Sequence, residues 1–388
     1  MNNFHYKNPT KILFGKGQIA CISREVPADA KVMLTFGGGS IRRNGVYEQV
    51  RVALGKRTVV DFGGIEPNPD HATLMRAVDA ARKAGIDFLL AVGGGSVLDG
   101  TKFIAGAIPY PGDPWDFVRK GGQGLETAIP LATVLTLPAT GSESNTNAVI
   151  SRRETGEKLA FSSALVYPQF AVLDPETTYS LPARQVANGI VDAFVHTFEQ
   201  YMTYPVGAEL QDRFAEAILS TLIQVGPRTL ANPREYESRA NFMWAATMAL
   251  NGLIGNGVPQ DWSTHLIGHE VTALYGIDHA RTLATVLPHL LRVQSKNKGE
   301  KLIRYGKQVW GIVEGDASER IEAAIARTET FFESLGVPTR LSAYDAAPDT
   351  PALVTARLAE RRSLPLGERQ DIDGEKVTQI LTASLQPR

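Results

Sequence analysis

The chain has 388 residues, 43% apolar and 21% charged, which is ordinary globular composition but long for a single core, so two domains are expected. A net charge of −1, with acids and bases mixed along the chain, excludes a dedicated nucleic-acid or membrane surface. Cys21 is the only cysteine, the opening MNNFHYKNPTKILFG has no apolar signal core, and no apolar run nears the roughly 18 residues of a membrane span. A cytoplasmic protein is therefore expected.

In chain order, KVMLTF (31–36) is rich in β-formers and ends in glycines. TVVDF (58–62) is a second short strand. Asn68-Pro69-Asp70 opens a helix, with Leu74, Val78 and Ala81 at helical spacing and Gly85 as its stop. IDFLLAV (86–92) is continuously apolar, as suits a parallel strand covered on both faces. A helix from Val97 to Ala107 follows, then strands at LATVLTL (131–137) and FAVLD (170–174). Strands alternating with helices through glycine-rich turns imply a Rossmann-like, mostly parallel sheet.

Beyond about Leu181 the pattern becomes helical. The runs 183–201, 208–224, 238–253, 261–275 and 318–335 have helical length and periodicity. The reading is an α/β domain over residues 1–180 and an all-helical domain over 181–388, with the boundary near Asp174–Pro182.

The tetrapeptide GGGS occurs twice, at 37–40 and at 93–96, each time after an apolar run. Glycines at a strand-to-helix turn let a ligand approach the backbone, and the helix N-terminus offers free N–H groups to a phosphate. A tight turn without a ligand would read the same way. Asp99 falls in the first turn after the second copy, as a cap or as an acceptor for a ribose or carboxamide. LPATGSES (137–144) adds a third donor-rich turn after a strand, and the three together point to one crevice outside the sheet.

Five of the seven histidines fall between positions 196 and 289. GIVDAFVHTF (189–198) is apolar nearly all round, so its helix is expected to be buried. Yet it carries Asp192 and His196 at i, i+4, on one face. A buried carboxylate needs a partner or a cation. In DWSTHLIGHEVTALYGIDHA (261–280), His265 and His269 form a second i, i+4 pair, and His279 follows in a loop. Two helical pairs and a loop histidine can close on one metal ion, and spacing does not separate His265 from His269 as the ligand. A nitrogen–oxygen donor set suits Zn²⁺ and Fe²⁺ equally.

The order GGGS-x-x-D, T-G-S-E, D-x-x-x-H, then H-x-x-x-H and a further histidine ten residues on, resembles the iron-containing (group III) alcohol dehydrogenases. These have the dehydroquinate-synthase-like architecture. NPTKILFGKG (8–17), IEPNP (65–69), VGGGSVLDGTK (92–102), LDPETTYSLP (173–182) and LGERQDIDGEKVTQIL (366–381) extend the likeness over nearly the whole chain. The first GGGS, PATGSESN and NGLIGNGVPQDW bring it nearest to the NADPH-dependent aldehyde reductase, or butanol dehydrogenase, branch.

This resemblance implies metal ligation by Asp192, His196, His265 and His279, with His269 in the active site outside the ligand set. It implies that Gly94, Gly95 and Ser96 hold the pyrophosphate, with Asp99 on the nicotinamide side. Thr136, Thr140, Ser142, Asn145 and Lys158 are then expected to line the cofactor crevice, with Asn68 near the adenosine. Members that use NAD carry an acid just after the first strand. Here that place is Gly37, Gly38, Gly39 and Ser40, followed by Arg42 and Arg43, which suits a 2′-phosphate and so NADP(H). The expected activity is hydride transfer between NADP(H) and short aliphatic aldehydes or primary alcohols, with one Zn or Fe ion, by a homodimer. A dehydroquinate-synthase-type lyase needs a basic, carboxylate-binding pocket, for which no candidate residues stand out. A non-catalytic metal- and nucleotide-binding protein is the remaining alternative.

Overall fold

The computed structural model describes residues 1–387 and packs the chain as two compact units. One comprises Lys7–Leu181 together with Arg234–Thr247; the other comprises Met1–Tyr6, Pro182–Pro233 and the chain from Met248 onward.

The first unit carries strands β1 (Lys11–Phe14), β2 (Lys31–Phe36), β3 (Thr58–Phe62), β4 (Phe88–Gly94), β5 (Leu131–Leu137), β6 (Asn147–Arg152), β7 (Glu157–Ser162) and β8 (Phe170–Leu173). Six form one sheet in the order β1-β8-β5-β4-β2-β3, every pair parallel, and β6 and β7 form a separate antiparallel hairpin. Its main helices are α1 (Val46–Leu54), α2 (His71–Ala84) and α3 (Gly95–Ala107). Asp70 opens α2 by accepting from Ala72 N at 3.0 Å, and Gly85 stops it at φ 62°. Alternate residues of the central strands enter opposite cores. Met33, Leu89, Ala91 and Leu135 pack with α2 and α3, while Leu34, Leu90, Val92 and Val134 pack with α1. Burial on both faces is why these strands read as unbroken apolar runs.

The strand order reverses between β2 and β4, because β3 lies outside β2 and β4 returns on its other side. Phe36 is in register with Val92. The two GGGS turns therefore leave the sheet side by side at its carboxyl end, at the topological switch point where α/β sheets bind ligands.

The second unit is built from α4 (Ala183–Tyr201), α5 (Glu209–Ala231), α7 (Ser263–Tyr275), α8 (His279–Val293), α9 (Ser295–Trp310), α10 (Ala317–Ser334), α11 (Thr350–Glu360) and α12 (Gly374–Leu385), with α6 (Tyr236–Ala249) between α5 and α7 in the chain. Among the described residues no helix is long and apolar enough to cross a membrane.

Three expectations change. The units are not the contiguous segments 1–180 and 181–388: most of α6 joins the α/β unit, where Met243 enters its core and Trp244 meets Phe14 edge-on. An apolar helix face does not say which core it joins. FAVLD ends one residue early as a strand, because Asp174 turns to cap the next turn, accepting from Glu176 N at 3.0 Å and Gly17 N at 2.7 Å. His279 is not in a loop but is the first residue of α8.

Candidate active site

The carboxylate and the histidines meet on α4, α7 and α8. Every residue of α4 from Val186 to Tyr201 is buried, so Asp192 and His196 are presented from inside the helical unit. The chain enters α7 sharply: Trp262 has φ 63°, and Asp261 Oδ1 accepts from Ser263 N at 2.9 Å. His265 thus lies in the first turn. The residue before α8, Asp278, accepts from Asn188 Nδ2 at 2.7 Å and Arg184 Nε at 2.8 Å. This ties the loop to α4 one turn before Asp192 and sets His279 opposite it.

The result is a compact donor cluster. One ligand atom each from Asp192, His265 and His279 lies within 4.8 Å of the others. His279 Nε2 is 3.7 Å and His196 Nδ1 3.8 Å from Asp192 Oδ1, and the His196 and His265 rings stack at 4.6 Å. His269 stands at the edge, partly exposed, its ring 4.9 Å from His279 and 6.1 Å from His265. Ligands about 2.1 Å from a tetrahedral ion are about 3.4 Å apart. The observed spacings reach that with small inward movements. Asp192 Oδ1 is buried and accepts no hydrogen bond, which a bound cation would correct. The residues therefore fit one divalent ion.

Behind the cluster lies a carboxylate that the sequence reading missed. Glu199 receives His265 Nδ1 on Oε2 and Thr264 N on Oε1 at 2.6 Å. Asp192, His196 and Glu199 share one face of α4 at i, i+4 and i+7, a spacing that could have revealed it. Burial, and then the charge of Asp261, push the Glu199 carboxyl up to about 8; a cation at the cluster acts in the opposite sense. Lys298, buried, donates to Asp261 at 2.8 Å and to Glu368 at 2.9 Å. Burial works against its charge, but these two acids hold it above the usual lysine range.

In the α/β unit, the second GGGS is shaped by packing. A Cβ at Gly93 would lie 2.6 Å from Val97 Cγ2, at Gly94 2.8 Å from Leu137 Cβ, and at Gly95 2.6 Å from Thr140 Cγ2. No side chain caps the α3 N-terminus, so its N–H groups face the sheet end where an anion fits. Ser96 Oγ accepts from Asn68 N at 3.3 Å, and Lys158 Nζ donates to Asn68 Oδ1 at 2.9 Å. Asp99 Oδ1 accepts from Ser142 Oγ at 2.6 Å and Oδ2 from Val149 N at 2.9 Å. Thr140 O accepts from Asn145 Nδ2 at 3.3 Å, and Thr136 is the penultimate residue of β5. Asn68, Ser96 and Lys158 form one hydrogen-bonded group, and Asp99, Thr140, Ser142 and Asn145 form a second. The second includes Lys102, unnoticed in the sequence, which donates to Asn145 Oδ1 at 2.9 Å and Asn147 O at 2.8 Å. Burial lowers the Lys102 ammonium to about 8.

The first GGGS differs. A Cβ at Gly38 or Gly39 meets nothing within 4 Å, so this turn is open. Its two arginines stand differently, and the expectation changes for Arg42 alone. Arg42 pairs with Asp61 at 2.9 Å and lies 4.6 Å over the Tyr47 ring, whose hydroxyl also donates to Asp61 at 2.6 Å. An acid thus stands beside this turn after all, on β3, and it engages Arg42. Arg43 is exposed and, among the described residues, has no hydrogen-bond or ion-pair partner.

A parallel sheet with phosphate-type turns in one unit and a one-carboxylate, three-histidine cluster in the other define a nucleotide- and metal-linked enzyme class. The chain belongs to the iron-containing alcohol dehydrogenase family, whose model matches residues 9–175, while the C-terminal model of the Fe-containing alcohol dehydrogenases matches residues 186–385. It is 59% identical to the NADPH-dependent aldehyde reductase YqhD of Escherichia coli, over 96% of this chain and 97% of that one. It is 38% identical to the NADH-dependent butanol dehydrogenase A of Clostridium acetobutylicum, over 99% and 100% of the two chains. The crystal structure of NADH-dependent butanol dehydrogenase A from Thermotoga maritima matches with a TM-score of 0.94 at 34% identity, covering 100% of this chain and 99% of that one.

Proposed function

We propose that the chain is a metal-dependent, NADP(H)-linked oxidoreductase that reduces short aliphatic aldehydes to primary alcohols. The observation that carries this is the convergence of Asp192, His265 and His279 within 4.8 Å, with His196 stacked on His265. In this reading Asp192, His196, His265 and His279 hold one Zn²⁺ or Fe²⁺. When bound, the ion supplies Lewis acidity toward the carbonyl oxygen and NADPH supplies the hydride. Three neutral imidazoles and one carboxylate leave one of two positive charges uncompensated, as polarisation of a carbonyl requires. His269, at the exposed edge of the cluster, carries a proton between solvent and the product oxygen. Trp262, whose ring is 5.4 Å from His265, walls the substrate and limits water.

Gly94, Gly95 and Ser96 at the α3 N-terminus hold the pyrophosphate, and Asn68, Asp99, Thr136, Thr140, Ser142, Asn145 and Lys158 line the cofactor. Gly37, Gly38, Gly39 and Ser40 receive the 2′-phosphate end, with Arg43 as the available cation. The openness of Gly38 and Gly39 and the 59% likeness to an NADPH-dependent reductase support NADP(H). The single cysteine favours a reducing, cytoplasmic setting. A homodimer that acts on small molecules, without a nucleic-acid or membrane partner, completes the proposal.

The test is turnover of butanal and longer aldehydes by metal-analysed protein with NADPH and with NADH. NADPH is expected to give the higher kcat/KM. Equal values would sink the cofactor assignment. No turnover of any aldehyde by protein holding both metal and cofactor would leave a non-catalytic binding protein.

A further inference from the structure

Glu199 is a carboxylate, with its side chain 3% exposed, on the Asp192 face of α4, and the proposed chemistry gives it no task. Its two oxygens have separate donors: Oε1 accepts from Thr264 N at 2.6 Å, and Oε2 meets His265 Nδ1. Ligation through Nε2 needs the ring proton on Nδ1, and Glu199 Oε2, which faces Nδ1, is the acceptor that holds it there. The lone pair of His265 is then on Nε2. We infer that Glu199 is a positioning residue for metal binding: it fixes His265 in the tautomer and ring orientation in which Nε2 ligates. This rests on the reading that Asp192, His196, His265 and His279 hold a divalent ion.

The surrounding bonds make Glu199 a fixed reference. Asp261 N donates to Glu199 O at 3.1 Å, while Asp261 Oδ1 accepts from Ser263 N at 2.9 Å. Lys298 grips Asp261 Oδ2 at 2.8 Å and also donates to Met202 O at 2.7 Å. The first turn of α7 is therefore clamped to α4 and α9, and Glu199 sets the ring within that clamp.

A glutamine at this position separates charge and acceptor count from shape. Its amide has one oxygen where two N–H groups need acceptors, so its NH₂ must face either Thr264 N or His265 Nδ1. His265 can relieve this by moving its proton to Nε2, which blocks ligation. Loss of such an outer carboxylate lowers metal affinity about 10–100-fold.

The experiment is Zn²⁺ titration of metal-stripped protein against a chromophoric chelator, for wild type, Glu199→Gln and Glu216→Gln. Glu216 is also buried but is bonded to Tyr201, Arg213 and Arg304 instead of a histidine. The melting temperature of the stripped proteins and their NADPH affinity report whether each variant keeps its fold. The inference predicts 10–100-fold weaker Zn²⁺ binding in Glu199→Gln alone, with near-wild-type NADPH affinity. Binding by Glu199→Gln within threefold of wild type overturns it while leaving the proposed function standing. Failure of wild type to bind either Zn²⁺ or Fe²⁺ overturns both. If the glutamine variant does not fold, Glu199→Asp is read the same way; it keeps the charge but draws it back one methylene, and affinity equal to wild type would again refute the role.

Discussion

The two GGGS turns respond differently to the same added methyl group. In Gly95→Ala the new Cβ lies 2.6 Å from Thr140 Cγ2, 2.7 Å from Oγ1 and 3.2 Å from Cβ. Carbon contacts are favourable at about 3.5–4.0 Å, so the nearest one is short by about 1 Å. Thr140 is β-branched and stiff, and its Oγ1 accepts from Ser142 N at 3.3 Å. The loop from 140 to 145 must therefore move as a body. Overpacking of this kind costs about 1–3 kcal/mol. In a unit of roughly 150–250 residues each kcal/mol lowers Tm by about 2–4 °C, so the expected fall is about 2–12 °C. Gly38→Ala meets no atom within 4 Å, and Gly38 is not in the left-handed region. Its stability is expected to change by no more than about 0.5 kcal/mol. Yet the methyl projects into the open turn where the cofactor is proposed to approach, so NADPH affinity should fall about tenfold, or about 1.4 kcal/mol. Thermal melts without cofactor and NADPH fluorescence titrations separate the two effects. A Gly38→Ala protein that melts as low as Gly95→Ala, or binds NADPH within twofold of wild type, refutes the reasoning.

Arg43→Ala should lower the NADPH-to-NADH ratio of kcat/KM about 10–100-fold, since a charge-assisted hydrogen bond contributes about 1.5–3 kcal/mol; an unchanged ratio would remove Arg43 from the site. Asp192→Asn withdraws the one anionic donor, and its protein is expected to lose bound metal on dialysis under conditions in which wild type keeps it, as measured by elemental analysis. His289 is held down to about 4 by burial and then by Arg340, whose Nη1 is 2.6 Å from its Nε2. Its folded value lies below the unfolded 6.5, so the unfolded chain binds more protons between these limits. That stability is present above pH 6.5 and lost as pH falls toward 4, by about 3 kcal/mol in full. His289→Asn should flatten denaturant midpoints across this window; an unaltered pH slope would contradict the assignment.

The central strands and α4 were legible because periodicity survives burial: alternate faces of β2 and β4 both enter cores, and α4 is apolar all round. The hairpin β6–β7 and strand β1 were not, because four to six residues with mixed exposure carry little pattern. The helix that begins at His279 was hidden by its own start, since Gly276 marks the preceding stop and the new helix follows within three residues. At the Asp–His cluster, i, i+4 spacing exposed Asp192 with His196, but the proposed metal-facing nitrogen of His265 rests on Glu199, a contact between helices. Asp61 was invisible for the same reason: it reaches the first GGGS turn from the neighbouring strand, through register instead of sequence proximity.

The central claim is that aldehyde reduction runs on the ion held by Asp192, His196, His265 and His279. Its most direct test is NADPH oxidation with butanal before chelation, after chelation to below one-twentieth or so of an equivalent, and after adding back Zn²⁺ or Fe²⁺, beside a His196→Ala/His265→Ala double variant. The account predicts activity lost with the metal, restored by one of the two ions, and not restorable in the double variant. Full NADPH-linked turnover by the metal-free double variant would contradict it.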